Sequence, residues 1–368
     1  VDAEKPTLIQ RKEHLSIRND RRMAPPTIPG IPLTQVMAAR SGSVRLDRTP
    51  GKDPAHRKDP MLTAFITHPD CARHEMGADH PECPERLAAI HDRLLTTGLL
   101  DYMAPYDAPL AGLAELGRAH APSYVQDLID CAPTDGLLRV DPDTCMNPFT
   151  LQAARRSAGA VLLATDLVLA GQASNSFCSV RPPGHHAERA TAMGFCFFNN
   201  VAVGIRHALD THGLERVALI DFDVHHGNGS EDIFQDEPRV LMCSTFETGI
   251  YPFCGEHGGR ANMINVALPP RSGGDVFRAA VTRHWLPALD RFAPQLIYIS
   301  AGFDGHREDD MGNLGLVESD YTWVTREIMR VAQGHCAGRV ISCLEGGYAL
   351  GALGRSVAAH VKVLIGAD

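Results

Sequence analysis

Val217–Asn228 reads VALIDFDVHHGN, an apolar β-branched run that ends in a cluster of acids and histidines. Three other segments repeat the pattern: Ser176–His186 (SFCSVRPPGHH), Leu296–Asp304 (LIYISAGFD) and Val340–Tyr348 (VISCLEGGY). In each, a strand-like run ends in residues able to bind metal, move protons or stabilise an oxyanion. Ligands of open α/β sheets gather at the carboxyl ends of parallel strands. The four clusters must therefore converge, and the expectation is an α/β fold: a central, mostly parallel sheet with helices on both faces.

Helical stretches separate the runs. A helix is expected from about residue 84, where Pro84 opens it, and others over Pro122–Cys131, Thr150–Ala170, Asn199–Thr211, Ser230–Gln235, Asp275–Phe292, Glu318–Ala332 and Leu353–Ile365. Further strands are expected at Leu62–Thr67 and Val240–Ser244, with an exit loop over Thr245–Arg260. Residues 61–368 form one catalytic domain in this reading. Residues 1–60 lack steady periodicity and form a basic, Pro-rich extension, either a leader or an oligomerisation arm.

Charge limits the partners. The chain of 368 residues carries a net charge of −9, with about +5 in residues 1–60 and about −14 in the remainder. An acidic body argues against nucleic acid as a partner. A basic arm on an acidic body favours a homo-oligomer. No run is long and apolar enough to predict a membrane span. The ten cysteines contain no C-x-x-C pair, and several lie in apolar runs. Buried free thiols in a reducing cytoplasm are expected.

Within Asp221-Phe-Asp-Val-His225, alternate side chains share a face. Asp221, Asp223 and His225 then point one way while Phe222 and Val224 pack behind. Asp223 and His225 suit a divalent metal, with Asp304 as the candidate third ligand, leaving one zinc position open. Arg181-Pro-Pro-Gly184 fixes a rigid turn before His185-His186. An isolated His pair reads as structure; beside a metal it reads as general base and partner. Asp221 can orient one of these rings and Asn228 the other. Gly346-Gly347 lets backbone approach a ligand, and Tyr348 can reach an oxyanion. Phe195 and Tyr251 read as core aromatics or as walls of a narrow channel.

With HEMGADHPECPER, RPPGHH, GFCFFNN, DFDVHHGNG, SAGFD and LEGGY in hand, the chain resembles the histone deacetylase-like amidohydrolases on their class II side over about residues 62–365. The resemblance implies an arginase/deacetylase fold and one catalytic Zn²⁺ held by Asp223, His225 and Asp304. It implies His186 as general base and acid, His185 as electrostatic partner oriented by Asp221, and Tyr348 polarising the amide carbonyl. Gly194 would accept the substrate N–H through its carbonyl, Phe195 would form a channel wall, and Arg86 would line the acid-product exit. A structural K⁺ is implied around Asp221, Asp223, His225 and Ser244.

Three positions depart from common family patterns. Asn228 is the class II form. Tyr251 stands where the second wall is usually Phe. Met311 occupies a gatekeeper position that is Glu in polyamine-specific relatives, although Glu308-Asp309-Asp310 could draw a cationic amine to the rim. The expected reaction is hydrolysis of an acyl-lysine-type or small carboxamide C–N bond. Acetylpolyamine deacetylation and xenobiotic amide hydrolysis are the alternatives. A two-Mn ureohydrolase needs more bridging carboxylates, and an acyl-binding protein without catalysis would not need the full residue set.

Overall fold

The sheet has eight strands, in the order β2-β1-β5-β10-β9-β6-β7-β8. The computed structural model of the chain describes residues 62–256 and 259–368, so the expected extension over residues 1–60 lies outside the described residues. The strands are β1 (Thr63–Thr67), β2 (Met103–Asp107), β5 (Ser176–Cys178), β6 (Val217–Asp221), β7 (Val240–Glu247), β8 (Met263–Leu268), β9 (Leu296–Ala301) and β10 (Val340–Leu344). Every pairing among them is parallel. A separate antiparallel pair, β3 (Leu138–Asp141) and β4 (Thr144–Met146), lies outside this sheet.

The four sequence clusters occupy four neighbouring central positions, β5-β10-β9-β6. Their runs are mostly apolar because strands buried on both faces need no polar side; β6, β9 and β10 are buried at every residue. Alternation along β9 shows the two layers. Ile297, Ile299 and Ala301 join a core with Val324, Ile328 and Val357 from helices Glu318–Cys336 and Leu350–Leu364. Tyr298 faces the opposite layer, where its hydroxyl meets Thr165 Oγ1 at 2.7 Å and donates to the Gly204 carbonyl at 2.9 Å. Thr165 and Gly204 belong to helices Thr150–Leu169 and Asn200–Asp210.

Several boundaries differ from expectation for physical reasons. Strand β7 runs to Glu247, past the expected end at Ser244, because its last residues pair in register with β8. The helix expected over Asp275–Phe292 is interrupted by a π-turn at Val281–Trp285. Pro287 lies in the first turn of the segment that follows and has no N–H to continue the α pattern. The helix from Glu318 continues to Cys336 and ends at left-handed Ala337. Among the described residues, no helix is long and apolar enough to cross a membrane. Seven of the ten cysteines are fully or almost fully buried.

Two histidines buried in the scaffold make the fold acid-sensitive. His360 Nδ1 lies 2.7 Å from Thr325 Oγ1 and its Nε2 2.8 Å from Ser342 Oγ; burial pushes it down to about 3. His120 Nε2 accepts the Asn199 N–H at 2.9 Å, and burial pushes this ring down to about 4 against the pull of nearby carbonyls. The unfolded chain binds protons at these rings near pH 6.5, where the fold does not. Their stabilising contribution is therefore complete above pH 6.5 and declines as pH falls toward 4, by about 3 kcal/mol for each ring. The urea midpoint should fall across this window, and less steeply in His360→Asn; a midpoint flat from pH 6.5 to 4.5 would refute the assignment.

Candidate active site and metal centre

Asp221 ends β6, and the alternation continues beyond the strand through Asp223 and His225. Phe222 and Val224 enter the core behind them. Asp304 arrives from the loop after β9. One ligand atom from each of Asp223, His225 and Asp304 lies within 4.8 Å of the others, and all three residues are buried. His225 Nδ1 is 3.0 Å from Asp223 Oδ1 and 3.2 Å from Asp304 Oδ2. The remaining carboxylate oxygens take backbone donors: Gly346 N–H donates to Asp223 Oδ2 at 2.8 Å, and Val224 N–H to Asp304 Oδ1 at 2.9 Å.

Asp304 Oδ2 is buried with no hydrogen-bond partner. Burial and the neighbouring Asp223 carboxylate push the Asp304 carboxyl up to about 7. Two close carboxylates and an imidazole nitrogen in a dry pocket fit a divalent cation, which would relieve both the repulsion and the unsatisfied oxygen. Backbone walls the pocket closely. A Cβ on Gly302 would stand 2.0 Å from Asp223 Oδ2, and one on Gly346 2.0 Å from Asp304 Oδ2. Only glycine fits at either position.

The His185–His186 pair lies beside this cluster, with ring centroids 4.0 Å apart. His185 Nδ1 is 3.1 Å from Asp221 Oδ2. Burial opposes a charge on His185, but Asp223 and Asp221 outweigh it and push the ring up to about 10. His186 moves the other way, lowered by burial, then by His185 and His225. Its Nδ1 is 2.8 Å from Asn228 Oδ1, while the Asn228 amide nitrogen donates to Glu188 Oε1 at 3.1 Å. The Asn228 oxygen thus faces the ring, so His186 Nδ1 carries the proton and Nε2 keeps its lone pair. The two rings hold different protonation states because one has carboxylate neighbours and the other an amide.

Phe195 packs edge-on to Tyr348 at 6.0 Å and to His80 at 4.7 Å. Tyr251 stacks edge-on to His186 at 5.1 Å, with its hydroxyl buried. Phe195, Tyr251, Met311 and Tyr348 are all half-buried. Gly194 has φ +57°, and a Cβ there would lie 2.4 Å from the His186 ring. The β3–β4 hairpin supports this turn: Gly194 N–H donates to Asp143 Oδ1 at 3.2 Å and Phe195 N–H to Thr144 Oγ1 at 3.0 Å. Ser244 pairs in register with Asp221, and its buried hydroxyl has no hydrogen-bond partner.

Three acids escaped the sequence reading. Glu345 directly follows β10; its Oε2 accepts from Gly184 N at 2.6 Å and His185 N at 3.1 Å, and its Oε1 from Ser300 Oγ at 3.0 Å. An acid at the end of a mostly apolar central strand, as at Asp221, was the signal available. Glu82 is fully buried between Arg181 and Arg86. Asp309 was read as part of an acidic rim, yet it is 5% exposed and accepts from Tyr348 N at 2.6 Å. Glu308 and Asp310 are both exposed, and Glu308 pairs with Arg355 at 2.8 Å. Arg86 is fully buried: its Nε donates to Gly347 O at 2.6 Å and its Nη2 to Glu345 O at 2.5 Å.

Asp166, His207 and His212 also meet, at the surface. Both Nε2 atoms lie on Asp166 Oδ1, at 2.8 and 2.7 Å. Arg118 is always a donor and lies 3.3 Å from His207 Nδ1, so the ring proton sits on Nε2. Metal binding would need that lone pair, and the cluster reads as hydrogen-bonded pairs.

Comparison with known proteins identifies the family. The histone deacetylase domain family matches residues 80–364. A probable deacetylase of Archaeoglobus fulgidus is 33% identical over 320 residues, 84% of this chain and 88% of that protein. A histone deacetylase-like amidohydrolase of Pseudomonas aeruginosa is 38% identical over 279 residues, 74% of this chain and 73% of that one. A polyamine deacetylase of Homo sapiens is 37% identical over 83% of this chain but 48% of its own length. The crystal structure of the HDA15 HD domain superposes with a TM-score of 0.78 at 32% identity, covering 83% of this chain and 88% of that one. The expected arginase/deacetylase architecture is therefore present, and the chain belongs to the histone deacetylase family, as a hydrolase of amide bonds.

Proposed function

We propose that the chain is a zinc-dependent amidohydrolase that cleaves the C–N bond of N-acyl amines, with an acyl-lysine-type or small carboxamide substrate. One observation carries the reading: the buried Asp223–His225–Asp304 set, with an unsatisfied carboxylate oxygen, lies beside a His186 ring whose Nε2 is free of its proton. When bound, zinc supplies Lewis acidity toward the attacking water and the substrate carbonyl.

The chain's own groups do the rest. His186 Nε2 removes a proton from the water as a C–O bond forms. The Tyr348 hydroxyl donates a hydrogen bond to the carbonyl oxygen as it gains charge. His186 returns its proton to the amine nitrogen as the C–N bond breaks, yielding acid and amine. The cationic His185, 4.0 Å away, keeps the adjacent imidazole a willing proton donor at that stage. Phe195 and Tyr251 flank the entering chain and exclude water, and Gly194 takes the substrate N–H on its carbonyl. A monovalent cation such as K⁺ at Asp221, Asp223, His225 and Ser244 is supported by the buried, unpartnered Ser244 hydroxyl.

The half-buried apolar Met311 and the inward-turned Asp309 favour neutral acyl-lysine-like amides over acetylpolyamines. A single metal is supported because Asn228 and His306 stand where a second metal would need acids. Metal analysis of purified protein should return one zinc per chain. The enzyme should show higher kcat/KM on acetyl-lysine peptides or small N-alkyl amides than on acetylpolyamines. Two equivalents of manganese would replace this reading with a ureohydrolase-type one, and no activity on any amide in the zinc-loaded protein would reject it.

A further inference from the structure

We infer that Asp309 is the positioning residue of Tyr348, and that its carboxylate joins the catalytic tyrosine to the Met311 wall of the channel. The inference rests on the proposed role of Tyr348. It starts from a conflict in the Glu345–Tyr348 segment. Position 346 must be glycine, because any Cβ would collide with Asp304 and Asp223. Gly347 has φ +119°, a conformation that side chains rarely adopt. Two successive glycines give the backbone its greatest freedom, just before a side chain that must hold a fixed direction.

The surroundings restrict that freedom from two sides. Arg86 Nε holds the Gly347 carbonyl at 2.6 Å. On the other side, Asp309 Oδ2 accepts both Tyr348 N–H at 2.6 Å and Ala349 N–H at 2.9 Å. Helix Leu350–Leu364 begins immediately afterwards, and its N-cap, Ala349, has no capping side chain. Asp309 therefore caps this helix from another loop, where a negative charge is favoured by the helix dipole. Its other oxygen, Oδ1, accepts Met311 N–H at 3.1 Å. Three backbone donors, two beside the tyrosine and one at the channel wall, converge on one carboxylate that is 5% exposed. The Asp309 loop is fastened from outside by Glu308–Arg355–Glu318, so the carboxylate is a fixed post.

The isosteric change Asp309→Asn turns one oxygen into a donor, which must face either the Tyr348–Ala349 amides or the Met311 amide. In the zinc-loaded full chain, Asp309→Asn should lower kcat about 10- to 100-fold, the scale of a small misplacement of a reacting group, with little change in KM or zinc content. If Asp309 acts through Tyr348, adding Asp309→Asn to Tyr348→Phe should cost less than about 3-fold more, a non-additivity expected only of coupled groups. Equal penalties in both backgrounds, or wild-type kcat in Asp309→Asn, would overturn the inference alone. Wild-type kcat in Tyr348→Phe would overturn the proposed role of Tyr348 and this inference with it. A second measurement needs no variant. Hydrogen exchange of the unsubstituted holoenzyme should show the Tyr348 and Ala349 amides protected well beyond exposed loop amides; fast exchange at both would also overturn the inference.

Discussion

His186→Ala is expected to lower kcat by about 10²- to 10⁴-fold, the usual contribution of a positioned general acid–base group. In the proposed mechanism the same ring takes the proton from water and returns it to the amine, so both halves of the reaction would lose their carrier. The size of the effect depends on a detail of the hydrogen bonding. Because the Asn228 oxygen faces Nδ1, the proton sits there and Nε2 keeps its lone pair without any need for rearrangement. KM should change less than kcat, because the ring acts on a proton in flight more than on bound substrate. Zinc content should be preserved, since His186 is not among the three converging residues proposed to hold it. Full activity in a folded, zinc-loaded His186→Ala protein would remove the assignment.

Glu82→Gln is expected to destabilise the fold by about 3–5 kcal/mol, the cost of removing one member of a buried ionic set. Arg181 donates to both Glu82 oxygens at 2.5 and 2.6 Å, and Arg86 to Oε1 at 3.0 Å. Burial alone would raise the Glu82 carboxyl, but Arg181, His74 and Arg86 hold it far below the usual carboxylate range. Burial lowers His74 and keeps it neutral, so two guanidinium ions share one counter-charge. Glutamine preserves the shape, removes that charge and turns an N–H pair toward arginine donors. Urea unfolding monitored by circular dichroism reads the effect directly. A loss below about 1 kcal/mol would place the network on the scale of exposed ion pairs. Arg181 also begins the turn that carries His185 and His186, so residual activity should fall together with stability.

The centre of the fold was legible because its strands are buried on both faces, and an unbroken apolar run bounded by polar clusters has few other readings. The margins were not. Edge strand β2 is Met-Ala-Pro-Tyr-Asp, half-exposed and interrupted by Pro105, which an edge tolerates and a central strand would not. Strand β8, Met263–Leu268, is half-buried at four of its six residues and gives no clear alternation. Strand β5 is only three residues long, so its apolar signal was carried mainly by the turn that follows.

The same division runs through the site. The alternation of Asp221, Asp223 and His225 could be read from spacing, because an extended backbone dictates it. The inward turn of Asp309 could not, because a loop of Glu308-Asp309-Asp310 has no period to show which acid faces in. Glu82 lay inside a motif noticed for its arginine. Its burial depends on Arg181, 99 residues away, and no local pattern encodes that partnership.

The order of strands across the sheet has a consequence for how the molecule comes into being. Strand β10, the last of the described strands in sequence, lies between β5 and β9. A nascent polypeptide that has emerged only as far as β9 has a gap in the middle of its sheet, with unpaired backbone on both sides. Tyr348 and the Gly346 wall of the Asp223–His225–Asp304 cluster arrive only when that gap is filled. Hydrolytic capacity therefore cannot precede the insertion of β10, and until then the exposed inner edges are the part of the newborn chain most in need of protection from other strands.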